Sequence, residues 1–406
     1  MVRLTGFREL QPFENALRKF LHTAKPKPVG SETISLTEAL GRILAEDVRA
    51  SRDVPPFDRS AVDGYAVRAE DVFEASEQQP KTLTLTRGTR LKRGEAREIW
   101  TGGMMPLGAN AVMMLENVVR GGSELKVLRA VAPFENVARS GEDVSRGELA
   151  LESGVKLRPW HVALLAAMNR TKVKVSRRPV VAVLSTGSEL AKLGSKLKPG
   201  QIVGTNNLTL ILMVRELGGS AIDLGIVEDD VEAIAKRLEL GLRKADLLLV
   251  TGGASVGGPD YTMEALHRLG KCEVVAHGIA MRPSKPTGLA IVDGKPVIAL
   301  PGNPVAAMIA FDAFARPVIA SMLGLRSWER LKTTARLTRN VASTPGYAVF
   351  LRVSLKRKNG ELYADPVATT GSGVISTMTK ADGYVVIPEQ REGLEENELV
   401  TVHLLI

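Results

Sequence analysis

Apolar positions recur along this chain at different spacings, and each change of spacing marks a boundary. Over residues 5–24, Phe13, Leu17, Phe20 and Leu21 fall near helical spacing, and Lys25-Pro26-Lys27-Pro28 ends the predicted helix. Residues 31–50 predict a short strand over 33–36 and a helix from Thr37. The proline-rich turn Val54-Pro55-Pro56-Phe57-Asp58-Arg59 follows. Residues 60–145 alternate, as in Thr82-Leu83-Thr84-Leu85, between glycine turns at Gly88, Gly94, Gly102-Gly103 and Gly121-Gly122, which predicts a small β-rich module. It reads as an insertion, because helical sequence resumes at Arg158-Pro159-Trp160-His161. From Arg178 to Gly324, strands predicted over 180–184, 221–227, 246–250 and 297–300 alternate with helices, implying a parallel sheet covered on both faces. The helix after Gly204 carries Leu210, Met213, Val214 and Leu217 on one side and Leu208, Ile211 and Leu212 on another. That pattern predicts a helix buried all round or placed in a subunit interface. Past Gly324, residues 349–353, 362–365, 384–387 and 399–402 predict a small barrel or sandwich.

Composition narrows this picture. A chain of 406 residues exceeds a single core and predicts three or four domains. No uncharged apolar run approaches about 18 residues, and the N-terminus lacks an apolar signal core, so a cytoplasmic protein without a membrane span is expected. The single cysteine, Cys272, excludes an internal disulfide and any cysteine-based zinc site, and reads as a buried structural thiol. His22, His161, His267, His277 and His403 show no ligand spacing and read as structural or surface residues. A formal charge of +9 favours anionic partners. Aromatic residues are only 4%, and no basic run alternates with aromatics, so small anionic substrates are expected rather than nucleic acid.

Candidate chemistry sits on loops that leave the predicted strands, where open α/β sheets bind ligands. Thr251-Gly252-Gly253-Ala254-Ser255-Val256-Gly257-Gly258-Pro259-Asp260 holds four glycines that admit a ligand close to the backbone, before a helix from Tyr261. Asp260 is placed to hold Mg²⁺ against a phosphate, or simply to cap that helix. Ser185-Thr186-Gly187-Ser188-Glu189-Leu190 follows the first strand, and Glu228-Asp229-Asp230 the second, where Asp229 is also an ordinary cap candidate. Leu300-Pro301-Gly302-Asn303-Pro304 offers Asn303 as N-cap and Pro304 at the first helical position. Glu189, Asp229 and Asp260 are expected to converge, and clustered carboxylates need a cation, most simply Mg²⁺. Met281-Arg282-Pro283-Ser284-Lys285-Pro286 is the basic counterpart, two prolines holding two cations for an oxyanion, or else a polar hairpin tip. Asp63-Gly64 alone reads as a β-turn.

Taken in order, these strings resemble the molybdopterin molybdenumtransferases, the MoeA family. Pro55–Ala66, Thr101-Gly102-Gly103, Gly141-Glu142-Asp143, Ser185–Leu190, Thr251–Gly257, Asp260-Tyr261, Lys285-Pro286, Pro301–Pro304 and Gly371-Ser372-Gly373 occur in family order across most of the chain. The resemblance implies a multidomain α/β plus β fold in an elongated homodimer. Domain I is built from residues 1–50 (N-terminal helix and first segment) and 146–177. A β-rich domain II is inserted over 51–145, a molybdopterin-binding three-layer α/β domain III spans 178–325, and a C-terminal β-barrel domain IV spans 326–406. The implied activity inserts molybdate or tungstate into the dithiolene of adenylated molybdopterin, with Mg²⁺ and release of AMP. Acceptor apoenzymes and an adenylyltransferase are the implied protein partners. By resemblance, Glu189, Asp229 and Asp260 serve the metal and nucleotide. Gly187, Gly252, Gly253, Ser255, Gly257, Pro301 and Asn303 shape the substrate site. Lys285, Arg282, Arg352 and Ser372 face the oxyanion. Asp63, Thr101 and Asp143 are offered across the dimer cleft. Departures occur at Ala138, where arginine is usual and Arg139 is adjacent, and at Ser188, Gly204 and Ala306. Adenylyl transfer to molybdopterin, and a non-catalytic scaffold of the gephyrin type, are the competing readings. The extra domains weigh against the first, and the intact Glu189, Asp260 and Lys285 against the second.

Overall fold

The computed structural model describes residues 10–253, 260–368 and 371–405. The chain forms two compact units, Met1–Glu32 with Ser176–Ile406, and Thr33–Val175.

In the Thr33–Val175 unit, a six-stranded sheet runs in the order Ala111–Met114, Gly64–Val67, Glu95–Ile99, Lys81–Leu85, Glu124–Val127, Val118–Gly121. Period-two alternation buries Leu83, Leu125 and Val127 together with Tyr65, Ala96 and Met113. A separate core gathers Leu44, Val48, Leu157, Leu165, Met168 and Val175 around the helix Pro159–Ala167. The helix expected from Thr37 is only a single 3₁₀ turn, Leu36–Glu38. Gly41 lies at φ +75°, while Ile43 and Leu44 bridge to Lys156 and Val175. These long-range pairings override local helix propensity.

In the other unit, a six-stranded sheet has the order Ser220–Val227, Val180–Thr186, Leu247–Thr251, Lys295–Leu300, Gly288–Val292, Cys272–His277. The first four strands are parallel, as expected, but Gly288–Val292 is reversed and pairs antiparallel with both of its neighbours, Lys295–Leu300 and Cys272–His277. The reversal comes from the two-residue turn Asp293-Gly294, both residues at positive φ, between Val292 and Lys295. Leu247–Thr251 is buried at every position, as a central parallel strand requires.

Pro304–Leu323 is, among the described residues, the one helical stretch long and apolar enough to cross a membrane, and 83% of that window is buried inside the protein. It carries Asp312 and Arg316, so its uncharged runs are short.

Beyond it, Ala348–Lys358, Glu361–Ala368, Lys332–Leu337, Leu399–Leu404 and Gly383–Ile387 form a ring. The last strand pairs back onto the first, so the barrel has no free edge. Ile279–Arg282 adds alongside it through Met281 and Ala348, and Gln11–Pro12 pairs with Ile279 and Ala280. The N-terminal helix spans Phe13–Ala24. Phe13 packs edge-on against Phe314 and Phe350, centroids 5.6 and 5.4 Å away. Aromatic packing and strand pairing therefore fix this helix to the α/β–barrel unit rather than to the segment over 33–50.

Candidate active site

Four parallel strands deliver their C-terminal ends to one cavity of about 450 Å³. Its polar lining is braced from within. Asn206 Nδ2 donates to Thr251 Oγ1 and to the Gly302 carbonyl, both at 2.8 Å, and Thr251 Oγ1 donates to the Pro301 carbonyl at 2.9 Å. Gly252, at φ +95°, has no room for a side chain, because a Cβ there would lie 2.1 Å from the Thr186 carbonyl oxygen. Gly187, Gly253, Pro301 and Asn303 line the same cavity. Ser255 and Gly257 lie outside the described residues.

The expected carboxylates separate. Asp230 caps the helix Val231–Lys244, its Oδ1 accepting from the Ala233 amide at 2.8 Å. Asp229 is therefore released from that duty. It lines the cavity with Glu189, and its Oδ1 is buried with no hydrogen-bond partner among the described residues. Asp260 does not join them in the lining. Its Oδ1 accepts from the Met263 amide at 2.9 Å as N-cap of Tyr261–His267, and its Oδ2 lies 2.9 Å from His277 Nε2. The anticipated convergence of three carboxylates is corrected to a pair, because helix capping and His277 engage Asp260. Among the described residues no three His, Cys, Asp or Glu side chains gather as a metal cluster.

A second cavity of about 340 Å³ is lined by Arg282, Thr344, Arg352 and Ser372 among others. Arg282 Nη1 donates to Thr344 Oγ1 at 3.1 Å, and its guanidinium lies 4.3 Å over the Tyr347 ring. Arg352 is 3% exposed, and burial pulls its pKa below the usual arginine value without removing its charge near neutrality. Asn303 stands at the N-cap position before Pro304–Ala310, as expected, yet its side chain makes no cap bond. Its Nδ2 instead donates to Ser372 Oγ at 2.9 Å. One hydrogen bond thus joins a wall of the first cavity to a wall of the second. Lys285 is half-buried between Arg282 and Pro286, which line the second and first cavities respectively, but it lines neither.

In the Thr33–Val175 unit, Asp63 Oδ1 accepts from both the amide and the hydroxyl of Thr101, each at 2.7 Å. The Thr101 amide first, then its hydroxyl, hold the Asp63 carboxyl below the usual carboxylate range. Asp143 is exposed and its amide donates to the Val54 carbonyl. Ala138 pairs with Arg59, while Arg139 lies 4.5 Å over the Phe134 ring.

Sequence reasoning gave no role to Asn206 in the first cavity, placed Thr186 and Thr251 in candidate loops without a role of their own, and missed the link from His277 to Asp260. The strand-end position of Thr186 and Thr251 was the available signal. Cys272 lies in a strand and is half-buried, and burial pushes its thiol up, away from reactive thiolate.

Comparison with known proteins agrees with this architecture. Family models match in chain order: the MoeA N-terminal region (domain I and II) over residues 11–169, a molybdopterin binding domain over 182–321 and the MoeA C-terminal region (domain IV) over 334–405. The class is thus a multidomain protein built around a molybdopterin-binding α/β domain. More narrowly, the chain belongs to the MoeA family. A Methanocaldococcus jannaschii protein named for molybdopterin biosynthesis is 41% identical over 381 residues, covering 92% of each chain. The molybdopterin molybdenumtransferase of Haemophilus influenzae is 34% identical over 396 residues, covering 94% of this chain and 96% of its own. The crystal structure of a molybdopterin biosynthesis MoeA protein from Pyrococcus horikoshii superposes with a TM-score of 0.85 at 35% identity, covering 98% of this chain and 100% of that one.

Proposed function

We propose that this enzyme of molybdenum cofactor biosynthesis, a molybdenum transferase, inserts molybdate or tungstate into the dithiolene of adenylated molybdopterin and releases AMP. One observation carries the reading. A cavity holding two carboxylates adjoins a cavity holding two arginines, and the Asn303–Ser372 hydrogen bond links their walls. Molybdate and tungstate are dianions and belong with Arg282 and Arg352, where charge-assisted hydrogen bonds are strongest. The nucleotide side belongs with the bare backbone of Gly252 and Gly253.

The donor set suits Mg²⁺, which keeps several waters and takes one or two carboxylates together with substrate phosphates. Asp229, whose buried oxygen has no partner among the described residues, and Glu189 would hold it. When bound, it would supply charge neutralisation at the phosphoanhydride. The side chains themselves position and polarise. Asn206 fixes the Thr251 and Gly302 walls, Asn303 orients Ser372, and the buried Arg352 presents fixed positive charge with little solvent to reorganise. In this reading the enzyme is a cytoplasmic homodimer, with Asp63, Thr101 and Asp143 completing the cleft of a partner subunit.

The test is AMP release from adenylated molybdopterin with Mg²⁺ and molybdate. Release well above a no-enzyme blank, lost in Arg352→Gln, is expected. Release no greater than the blank would overturn the proposal.

A further inference from the structure

The strand Ile279–Arg282 ends in the wall of the second cavity, and its last residue pairs with Val349 of the barrel strand Ala348–Lys358. That pairing sets Arg282 beside residues 343–347, the segment that leads into the barrel strand. The segment is pinned from behind. The Ser343 amide donates to the Glu392 carbonyl at 2.6 Å, and the Gly346 amide to the Glu389 carbonyl at 2.7 Å.

Two side chains of this pinned segment reach the guanidinium. Arg282 Nη1 donates to Thr344 Oγ1 at 3.1 Å, and the guanidinium carbon lies 4.3 Å from the centre of the Tyr347 ring. An exposed arginine ordinarily samples many rotamers, and a ligand that captures it must overcome that freedom. Here the ring holds one face and the hydroxyl one corner, so part of that ordering cost is met before a ligand arrives. A lysine ammonium has neither a plane to stack nor a fork to aim. Among the described residues Arg282 makes no ion pair, so its charge is not spent on a carboxylate. Thr344 lines the cavity and Tyr347 does not, so the ring acts on the guanidinium rather than on a ligand.

We propose that Tyr347 and Thr344 are positioning residues for oxyanion binding, holding the Arg282 guanidinium so that its remaining N–H groups meet a tetrahedral dianion. This rests on the reading of the second cavity as the oxyanion side.

The experiment titrates molybdate, and separately tungstate, into the full chain by calorimetry, with thermal melting alongside. Arg282→Gln should weaken molybdate binding by about tenfold or more. Tyr347→Leu should weaken it by about threefold to fivefold, and Thr344→Val by about threefold. Tyr347→Phe keeps the ring and should bind within about twofold of the wild type. Arg282→Gln combined with Tyr347→Leu should bind no more weakly than Arg282→Gln alone, because both substitutions remove the same contact. If Tyr347→Leu perturbs folding, the Tyr347→Phe rescue and the double variant still decide. Binding lost in Arg282→Gln but untouched in Tyr347→Leu and Thr344→Val would overturn the positioning role and leave the oxyanion reading standing. So would a Tyr347→Leu loss of equal size in the Arg282→Gln background, since the ring would then act by another route. A wild type that binds neither molybdate nor tungstate would overturn both.

Discussion

Asp229 and Asp230 are adjacent carboxylates at the start of one helix, and the local sequence allows either to cap it. The backbone gives the cap to Asp230, whose Oδ1 meets the Ala233 amide, and leaves Asp229 Oδ1 buried in the cavity wall with no partner among the described residues. Asp230→Ala should therefore cost about 1 kcal/mol in urea unfolding, the ordinary worth of an N-cap, with turnover retained. Asp229→Asn should leave stability equal or higher and raise the Mg²⁺ concentration for half-maximal activity by about tenfold or more. A Mg²⁺ titration unmoved in Asp229→Asn would remove this residue from the metal site. Asp260 belongs with Asp230 rather than Asp229. Its two oxygens serve Met263 and His277, so Asp260→Ala should lose about 1–2 kcal/mol of stability. If its activity falls only in proportion to the folded fraction, Asp260 is structural. The sequence could nominate all three aspartates, because each follows a strand. It could not rank them, because the choice of capping residue depends on backbone angles that the residue type leaves open.

Elements were legible where local chemistry and tertiary context agreed. Four parallel strands followed from apolar runs and turn residues. The antiparallel edge was also written in the chain, as Asp293-Gly294 between apolar segments, a hairpin signal overshadowed by the strand–helix alternation. The helix expected from Thr37 failed for the opposite reason, since nothing local announces that Leu44 bridges Val175. The apolar Pro304–Leu323 stretch hides a polar feature that only the fold explains. Asp312 is 5% exposed and accepts from Arg316 Nε, Arg330 Nε and Tyr384 Oη at 2.5, 2.8 and 2.7 Å, tying this helix to the barrel strand Gly383–Ile387. Burial alone would raise the Asp312 pKa, but the Arg330 hydrogen bond and the charges of Arg316 and Arg330 outweigh it and hold the carboxyl below its usual value. A depressed folded value gives stability that is fully present above the ordinary carboxylate range and is lost as pH falls through the folded value. Asp312→Asn should thus unfold about 3–5 kcal/mol more easily at pH 7, through the buried guanidinium groups it leaves uncompensated. The gap to wild type should narrow below about pH 4. Chemical denaturation at pH 7 and pH 3.5 measures both, and a gap independent of pH would show that the charge of Asp312 is not what stabilises the contact.

At the scale of the whole molecule, the helix Asn206–Leu217 leaves a surface to be accounted for. Leu210, Ile211 and Val214 are buried, so the expectation of burial all round within one chain is not met, since Leu208 and Leu212 are 49% and 52% exposed. They stand one helical turn apart and share a face. The homodimer proposed above would give these two exposed leucines a partner. Replacing both by glutamate, Leu208→Glu with Leu212→Glu, should shift sedimentation from dimer to monomer while circular dichroism stays native. The proposed division of labour predicts more than a change in mass. If Asp63 serves the partner's cleft while Glu189 serves its own, the monomeric variant should still bind AMP with Mg²⁺ but turn over poorly. Mixed subunits give the sharper measurement. Asp63→Ala and Glu189→Ala homodimers should each be inactive, whereas random re-pairing of the two after mild dissociation places both lesions in one cleft of each heterodimer and leaves the other intact. Activity should then return to about a quarter of the wild-type value, the statistical share of intact clefts. No recovery, with heterodimers demonstrated by differential tagging, would place Asp63 and Glu189 in the same subunit's site and remove the shared cleft.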